Sequence, residues 1–155
     1  MAHRGYWRAM NNLIQTYRGT VMQWHCDHMG HMNVMWYVGK FDEATWNLFA
    51  MMGASAAYLR QSGKAMAAID QRLQYRRELV AGDTVTIGSG ILEVRDKVCV
   101  FFHEMKNTQT GEVAATCRLV GVHMDALARK STPFAPRIIE QARGLVRDYD
   151  FGYRD

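Results

Sequence analysis

The longest hydrophobic pattern in the chain follows Asn33 and has the spacing of a helix. Residues that suit a buried face recur every three or four positions, at Val34, Tyr37, Val38, Phe41, Ala44, Thr45, Leu48, Phe49 and Met52. Asn33 is a favoured N-cap residue, and Gly53 stands where a left-handed residue commonly ends a helix. The pattern predicts a helix over residues 34–52. Trp36 and Trp46 widen its apolar surface, so we expect the rest of the chain to wrap it.

Extended, β-branched segments predict strands on both sides of this helix. One strand is expected before it, and four follow it, at residues 17–24, 67–79, 83–95, 98–107 and 112–124. The short turns between the last four are typical of antiparallel neighbours. One long apolar helix and a meander of strands predict an α+β domain in which an antiparallel sheet curls around the helix.

Small residues and glycines mark the remaining parts of the chain. The segment that begins at Ala54, with Gly63 and Lys64 as breakers, predicts a connection between the helix and the next strand. Gly88-Ser89-Gly90 predicts a bulge or a sharp twist inside a strand. A final helix is expected near residues 135–146. No repeat or linker divides the 155 residues, so we expect a single domain over residues 1–155.

Composition and charge limit the class of protein. The net charge of +4 mildly favours an anionic partner, but the basic residues are scattered, and no nucleic-acid partner is expected. An odd number of cysteines, Cys26, Cys99 and Cys117, argues against a disulfide framework and favours a reducing compartment. Neither a signal peptide nor a membrane span is recognisable in the sequence. We therefore expect a cytoplasmic protein without a membrane partner.

Reactive side chains concentrate in residues 24–37, W-H-C-D-H-M-G-H-M-N-V-M-W-Y, directly before the predicted helix. Asp27 is a candidate nucleophile or general base toward a carbonyl. The free N–H groups of the first helical turn, near Val34, suit an oxygen that becomes negatively charged. The segment therefore predicts an acid and an oxyanion donor within one loop.

Other chemistries remain open for the same segment. His25, His28 and His31 suggest a metal site with Cys26 and Asp27 as spare ligands, although no second cluster supports one, and no metal is predicted. Cys26 is a possible thiolate nucleophile or a small buried residue. On a strand, its side chain would point away from the face that carries Asp27.

Three further residues complete the candidate site. His31 is expected to orient the acid, contact substrate or stabilise the helix start, and Asn33 to cap the helix, position water or do both. Tyr37 suits packing, yet its place near the helix start also makes it a candidate substrate contact. The predicted site is thus Asp27, His31 and Asn33 for catalysis, with Val34 and Tyr37 for substrate binding.

At residues 27–37, D-H-M-G-H-M-N-V-M-W-Y, the sequence resembles the hotdog-fold acyl thioesterases of the 4-hydroxybenzoyl-CoA thioesterase type. The resemblance continues with a strand at residues 71–79, a Gly82-Asp83 turn and an N-x-x-T-G-E hairpin at residues 107–112. It covers a core of about residues 15–135, which leaves a C-terminal helical extension at about 135–155. It implies a hotdog fold, with an antiparallel sheet wrapped around a long central helix, and hydrolysis of an acyl-CoA thioester.

Carried over to this chain, the resemblance makes Asp27 the catalytic carboxylate and Val34 the source of the carbonyl-polarising N–H. The benzoyl enzymes have hydrophobic residues where this chain has His31 and Asn33. This pair is similar to the D-x-N-x-H-V-N-N pattern of plant acyl-carrier-protein thioesterases, although Met29 replaces their active-site asparagine. A second hotdog branch carries its acid on the central helix, where the candidates would be Asp42 or Glu43; Asp27 is preferred because the loop motif is present.

The resemblance also implies the partners. The substrate is expected to be an acyl-CoA, with no metal or redox cofactor, and the assembly a homodimer or homotetramer with sites at subunit interfaces. Phosphates of coenzyme A suit basic residues, for which the candidates are Arg76, Arg77, Arg118, Arg129 and Lys130. An acyl-carrier-protein thioesterase and a non-catalytic acyl-CoA-binding module are the alternatives.

Overall fold

One antiparallel sheet and three helices make up the fold of residues 12–153, which the computed structural model describes. The helices are α1 (Val34–Met51), α2 (Ala56–Ser62) and α3 (Pro136–Arg143), and Gln23–His25 form a 3-10 turn. The strands are β1 (Ile14–Thr20), β2 (Lys64–Tyr75), β3 (Thr84–Val94), β4 (Val98–Asn107), β5 (Val113–Asp125) and β6 (Lys130–Ser131).

The sheet has the strand order β1-β3-β4-β5-β2, with β6 paired to β5. All five pairings are antiparallel. Strand β2 pairs with β5, the last strand of the meander, and not with β3, which follows it in the sequence. Alternate residues of β4 face α1, where Phe41 stacks on His103 and Phe49 meets Phe101 edge to face. The predicted α+β architecture, an antiparallel sheet against a long central helix, is confirmed.

The ends of α1 lie where the sequence predicts them. The Asn33 side chain accepts a hydrogen bond from the Met35 N–H, which satisfies one of the free donors of the first turn. The helix ends at Met51, and Gly53 follows it with a φ of 90°. A side chain there would be strained, so glycine suits this turn.

Two predictions near β1 and α2 are wrong. The first strand ends at Thr20 rather than at residue 24, because the chain turns at Gln23–His25 and the Met22 N–H donates to His25 Nδ1. The predicted connection after Ala54 contains helix α2, for which Ser55 is the N-cap. A helix of seven residues is too short to display a convincing period, so the sequence pattern does not reveal it.

Of the two alternatives predicted for Gly88-Ser89-Gly90, the bulge is wrong and the sharp twist stays a prediction. These residues pair regularly with β4, and the register shifts instead between Ile91 and Glu93. A second shift lies on β1, between Gln15 and Tyr17. Gly88 and Gly90 are explained by close packing, because an added Cβ would lie 2.9 Å from Leu13 Cβ and 2.7 Å from Arg147 Cβ, respectively.

The remaining elements differ from the prediction only at their ends. Strands β2 to β5 shift by no more than a few residues, and β4 has the predicted bounds. Helix α3 is shorter than the predicted 135–146. Among the described residues, no helix is long and apolar enough to cross a membrane. The prediction of one domain over residues 1–155 stays a prediction.

The sheet does not wrap α1 completely. Met35 is 62% exposed and Trp46 is 41% exposed, and Val38 also reaches solvent. On the neighbouring edge strand β2, Ile69 is 64% exposed. One apolar side of the helix therefore remains uncovered within a single chain, contrary to the expectation from its wide hydrophobic surface.

A polar network lies inside the core around His103, which is fully buried. Its Nδ1 lies 2.6 Å from Ser89 Oγ, and its Nε2 lies 2.8 Å from Thr45 Oγ1. Since Thr45 donates its own proton to the Phe41 carbonyl, the ring N–H is on Nε2 and the ring is neutral. Burial lowers the pKa of His103 to about 3.

This histidine is expected to make the fold acid-sensitive. The unfolded chain binds a proton at His103 below pH ~6.5 and the folded chain does not, so lowering the pH from 7 to 5 removes ~2 kcal/mol of stability. Urea unfolding of wild type and His103→Gln at the two pH values measures this difference. The pH dependence should flatten in His103→Gln and stay unchanged in the control His28→Gln, which alters an exposed ring. An unaltered pH dependence in His103→Gln would contradict the assignment.

Candidate active site

The loop before α1 is closed by backbone hydrogen bonds. The Asp27 N–H donates to the His31 carbonyl at 3.2 Å, and the Gly30 N–H donates to the Asp27 carbonyl at 3.0 Å. Gly30 has a φ of 85°, which permits this tight return. Cys26 and Met32 then pair as an isolated bridge. The closed loop brings Asp27 back beside the start of α1.

The Asp27 carboxylate accepts two hydrogen bonds. Its Oδ2 accepts from Asn33 Nδ2 at 2.7 Å, and its Oδ1 accepts from the Met29 N–H at 2.8 Å. These bonds, the one from Asn33 first, hold the pKa of Asp27 below its usual range. The side chain is only partly buried and is a fixed anion at neutral pH.

Asn33 connects this carboxylate to the helix. While Nδ2 donates to Asp27, Oδ1 accepts from the Met35 N–H at 3.0 Å. The predicted capping role of Asn33 is observed, its role in positioning water stays a prediction, and its bond to Asp27 is a contact that the sequence did not predict. The adjacent Val34 N–H has no acceptor among the described residues. Asn33 therefore bonds to the Asp27 carboxylate and directly precedes the free N–H of Val34.

A cavity of about 280 Å³ opens beside this pair. The helix start contributes Val34 and Tyr37, and the end of β2 with the residues after it forms the opposite wall. The lining residues are Asp27, His31, Met32, Val34, Tyr37, Tyr75, Arg76, Arg77 and Glu78. Four of the five predicted site residues line it directly, and Asn33 lies behind Asp27.

His31 and Tyr37 lie in the cavity wall with partners of their own. His31 Nε2 lies 3.5 Å from Glu78 Oε1, so the ring is directed to Glu78 while Asn33 orients Asp27. Tyr37 is buried and donates to the Arg77 carbonyl at 3.2 Å. Burial raises the pKa of Tyr37 to about 12, which keeps its hydroxyl protonated.

Only some of the basic candidates lie near this cavity. Arg76 and Arg77 line it, and they also line an adjoining cavity of about 600 Å³ with Lys106. Arg118, Arg129 and Lys130 line neither. The Arg76 guanidinium donates to the Phe151 carbonyl, so the chain beyond α3 helps to fix it.

The three histidines of the loop do not converge. His25 is buried, accepts from the Met22 N–H and packs on Trp36 with ring centroids 4.4 Å apart. Burial lowers its pKa. Within residues 12–153, no group of three potential ligands has the spacing of a metal site. Cys26 is half-buried against the core and lies outside the cavity.

The helix acids considered as alternatives lie elsewhere. Asp42 lines a different cavity, farther along α1, and Glu43 lines neither of these two. Sequence reasoning missed Tyr75 and Glu78, which reach the site from β2 and the segment after it. The pairing of β2 with β5, and the hydrogen bond from the Met32 N–H to the Leu79 carbonyl, place them beside α1, so a local pattern contains no signal for them.

The arrangement combines the two groups that acyl transfer needs. Asp27 places a charged oxygen at the cavity, and the Val34 N–H, at the positive end of α1, is a donor without a described acceptor. A carboxylate and a free N–H of this kind can act on a carbonyl compound.

Comparison with known proteins finds relatives that are named as thioesterases. A family model described as the Thioesterase-like superfamily matches residues 21–142. The betainyl-CoA thioesterase of Pseudomonas aeruginosa is 22% identical over 137 residues, which are 88% of this chain and 86% of that protein. The L-carnitine dehydrogenase/betainyl-CoA thioesterase of Rhizobium meliloti is 23% identical over 123 residues, which are 79% of this chain. The chain spans about a quarter of the length of the Rhizobium meliloti protein, 25% of which is matched.

A solved structure shows the same fold. A Staphylococcus aureus protein in complex with CoA superposes with a TM-score of 0.81 at 18% identity, and the match covers 90% of each chain. The predicted hotdog architecture is confirmed by this superposition and by the family match.

Proposed function

Because the chain belongs to the thioesterase-like superfamily, we propose that it is a thioester hydrolase that acts on a small or medium acyl-CoA at the Asp27 cavity. The observation that carries this proposal is the pairing of a fixed carboxylate with a free helix N–H. Asp27 and Val34 both line the cavity, and Asn33 bonds to the acid while capping the same helix.

In the proposed reaction, the thioester carbonyl lies over the start of α1 with its oxygen toward the Val34 N–H. Asp27 either attacks the carbonyl carbon or removes a proton from the water that does. The tetrahedral oxyanion receives a hydrogen bond from Val34, and its collapse breaks the carbon–sulfur bond. The thiolate is a good leaving group because a thiol has a pKa of about 8.5, so little acid assistance is needed.

The two versions of the mechanism differ in a covalent intermediate. Attack by Asp27 forms a mixed anhydride, which water then cleaves, whereas base catalysis forms no bond to the protein. A single turnover in oxygen-18 water separates them, because cleavage of an anhydride at the Asp27 carbon leaves the label in the carboxylate.

The basic residues near the cavity favour coenzyme A over an acyl-carrier protein as the carrier of the acyl group. Arg76 and Arg77 lie at the rim of the cavity and suit the phosphates of coenzyme A. An acyl-carrier protein, the alternative raised by His31 and Asn33, would need an extended basic docking surface. Near the cavity, Lys106 already lies close to Glu104, which leaves fewer basic side chains for such a surface and favours the smaller CoA substrate.

The names of two relatives suggest which acyl group to test first. Both are called betainyl-CoA thioesterases, and a betainyl group is small and carries a fixed positive charge. A short cationic acyl-CoA therefore belongs in the proposed substrate class beside neutral acyl groups.

A homodimer or homotetramer in the cytoplasm is part of the same proposal. Met35, Val38 and Trp46 expose apolar surface on α1, and Ile69 does so on β2, whose outer edge has no partner strand within residues 12–153. An exposed apolar patch beside an open sheet edge is typical of a surface that another chain covers.

A panel of acyl-CoA thioesters tests the proposed function. We expect wild type to release free thiol from at least one small or medium acyl-CoA, and to do so faster than from the matched acyl-carrier-protein thioester. Release is followed with a thiol reagent, with purified protein inactivated by heat as the control. Tight acyl-CoA binding without any thiol release would instead support the non-catalytic module.

A further inference from the structure

A second cavity lies farther along α1, between this helix, β2 and the middle of the sheet. It has a volume of about 110 Å³ and shares no lining residue with the Asp27 cavity. The part of its wall that matters here consists of Asp42, Trp46, Phe49, Phe101 and Gly121. The proposed hydrolysis uses none of these residues.

Three aromatic rings in different planes form its wall. Trp46 and Phe49 meet edge to face, with centroids 5.8 Å apart and planes at 88°. Phe49 and Phe101 do the same at 5.1 Å and 68°. Phe49 and Phe101 are buried, so their rings are held in place by the core. Because the ring planes are steeply inclined to one another, the faces of the three rings point in different directions around the cavity.

The space between the rings depends on Gly121. A Cβ at this position would lie 3.4 Å from Phe101 Cε1, 3.6 Å from Phe49 Cζ and 3.4 Å from Met66 Cε. Any side chain there would therefore occupy the cavity itself. Ala67 and Ala68 of β2, also in the wall, leave further room because their side chains are small.

Asp42 gives the cavity a negative charge. It is exposed, and it has no ion-pair partner within residues 12–153. None of the described residues that line the cavity is basic. The wall therefore combines one uncompensated carboxylate with aromatic faces, and both attract cations.

We propose that the pocket of Asp42, Trp46, Phe49 and Phe101 binds a quaternary or tertiary ammonium group. A methylated ammonium spreads its charge over an apolar surface, so it gains from aromatic contact and loses little hydration. Primary ammonium groups, which are strongly hydrated and donate three hydrogen bonds, fit less well in a wall that is mostly apolar: among the described lining residues, polar side chains are found at Asp42, Thr45 and Gln71.

The ammonium group has two possible sources, a free cation or the acyl part of the thioester; the second rests on the proposed function. Asp42 is eight residues along α1 from Val34, which corresponds to ~12 Å of helix axis. A betainyl group at Val34 cannot span this distance within one chain. The betainyl group could therefore reach only the pocket of a second copy. A longer cationic acyl chain has the length to reach the pocket of the same chain.

The binding experiment uses tetramethylammonium as the probe and tert-butanol as its neutral counterpart of similar size. Binding is followed by calorimetry and by the NMR signal of the Trp46 indole N–H. We expect tetramethylammonium to bind at least about tenfold more tightly than tert-butanol. Asp42→Asn should remove at least about tenfold of this affinity, and Gly121→Ala should weaken binding with the charge intact.

Glu43→Gln is the matched control, because it removes one negative charge from the next position on α1 but does not alter the wall of the pocket. It should leave binding of tetramethylammonium unchanged. Equal binding of tetramethylammonium to wild type and Asp42→Asn, or no binding to wild type, would overturn the proposal.

A kinetic arm identifies the source of the ammonium group. Betainyl-CoA is compared with tert-butylacetyl-CoA, its neutral isostere, and ω-trimethylammonio-octanoyl-CoA with its own tert-butyl isostere. If wild type prefers the cationic member of a pair and Asp42→Asn abolishes this preference, the ammonium group belongs to the substrate. If only the short pair shows the preference, the short acyl group reaches the pocket of a second copy. Binding of tetramethylammonium with no such preference assigns a free cation. Failure to hydrolyse any thioester would overturn the proposed function but not the binding result.

Discussion

Replacing Asp27 by asparagine is expected to lower kcat/KM for the preferred acyl-CoA by about 10³-fold or more. The amide is neither a base nor an effective nucleophile. Both oxygens of Asp27 accept hydrogen bonds, from Asn33 Nδ2 and from the Met29 N–H. In the variant, the new NH2 group would face one of these two donors, and that hydrogen bond would be lost. Initial rates of thiol release over a range of substrate concentrations measure the loss.

The effect should appear in kcat more than in KM, because Asp27 is proposed to act on the transition state. Asp83→Asn is the control: this loop carboxylate accepts a hydrogen bond from the Val80 N–H and lies outside the cavity. Urea unfolding of both variants separates lost chemistry from lost structure. Turnover of Asp27→Asn within a few fold of wild type, with the fold intact, would remove Asp27 from its assigned role.

The same carboxylate sets the expected acid limit of the reaction. Hydrogen bonds from Asn33 and Met29 lower the pKa of Asp27, so its charged, active form persists to a lower pH than an ordinary aspartate would allow. As the pH is lowered, activity should therefore fall only at pH values below the usual pKa range of an aspartate, as long as the protein stays folded.

Substitution of Val34 by proline is expected to lower kcat by about 10²- to 10³-fold while the fold is retained. Proline removes the one backbone N–H proposed to stabilise the oxyanion. Val34 is the first residue of α1, a position where proline is tolerated because its N–H has no helical acceptor. Asn33 already has φ −69° and ψ 147°, the conformation that a following proline requires.

Val34→Ala is the matched control, because it removes the side chain but keeps the N–H. It should stay within a few fold of wild type in kcat, and both variants should show circular dichroism and urea midpoints close to wild type. If Val34→Pro is folded and turns over substrate at the rate of Val34→Ala, the Val34 N–H is not the oxyanion donor.

Local sequence pattern was sufficient for the parts of the site that lie close together in the chain. The period after Asn33, its capping side chain and Gly53 define α1, and the closed loop of Asp27 is adjacent to it. Capping and helical period depend on residues within one or two turns, so they can be read without a fold. The catalytic roles of Asp27, His31 and Asn33 stay predictions.

Positions that depend on strand pairing were beyond the sequence. The register of β3 and the helix α2 differ from expectation, because a strand's partner and a seven-residue helix are decided by contacts elsewhere in the chain. The sequence predicted that Asn33 caps the helix or positions water, and only the fold shows that the capping side chain also donates to Asp27 Oδ2.

The sequence by itself determined the central helix and its cap, because both have a local physical cause, and it indicated the family by the resemblance of its motifs. The tertiary structure alone decided that Glu78 lies against His31, and that Asp42, Phe101 and Gly121 form one pocket. These residues come from different elements, which meet through the pairing of β4 with β5 and through the hydrogen bond from the Met32 N–H to the Leu79 carbonyl. Contacts of this range follow from burial of the whole core, which no local period encodes.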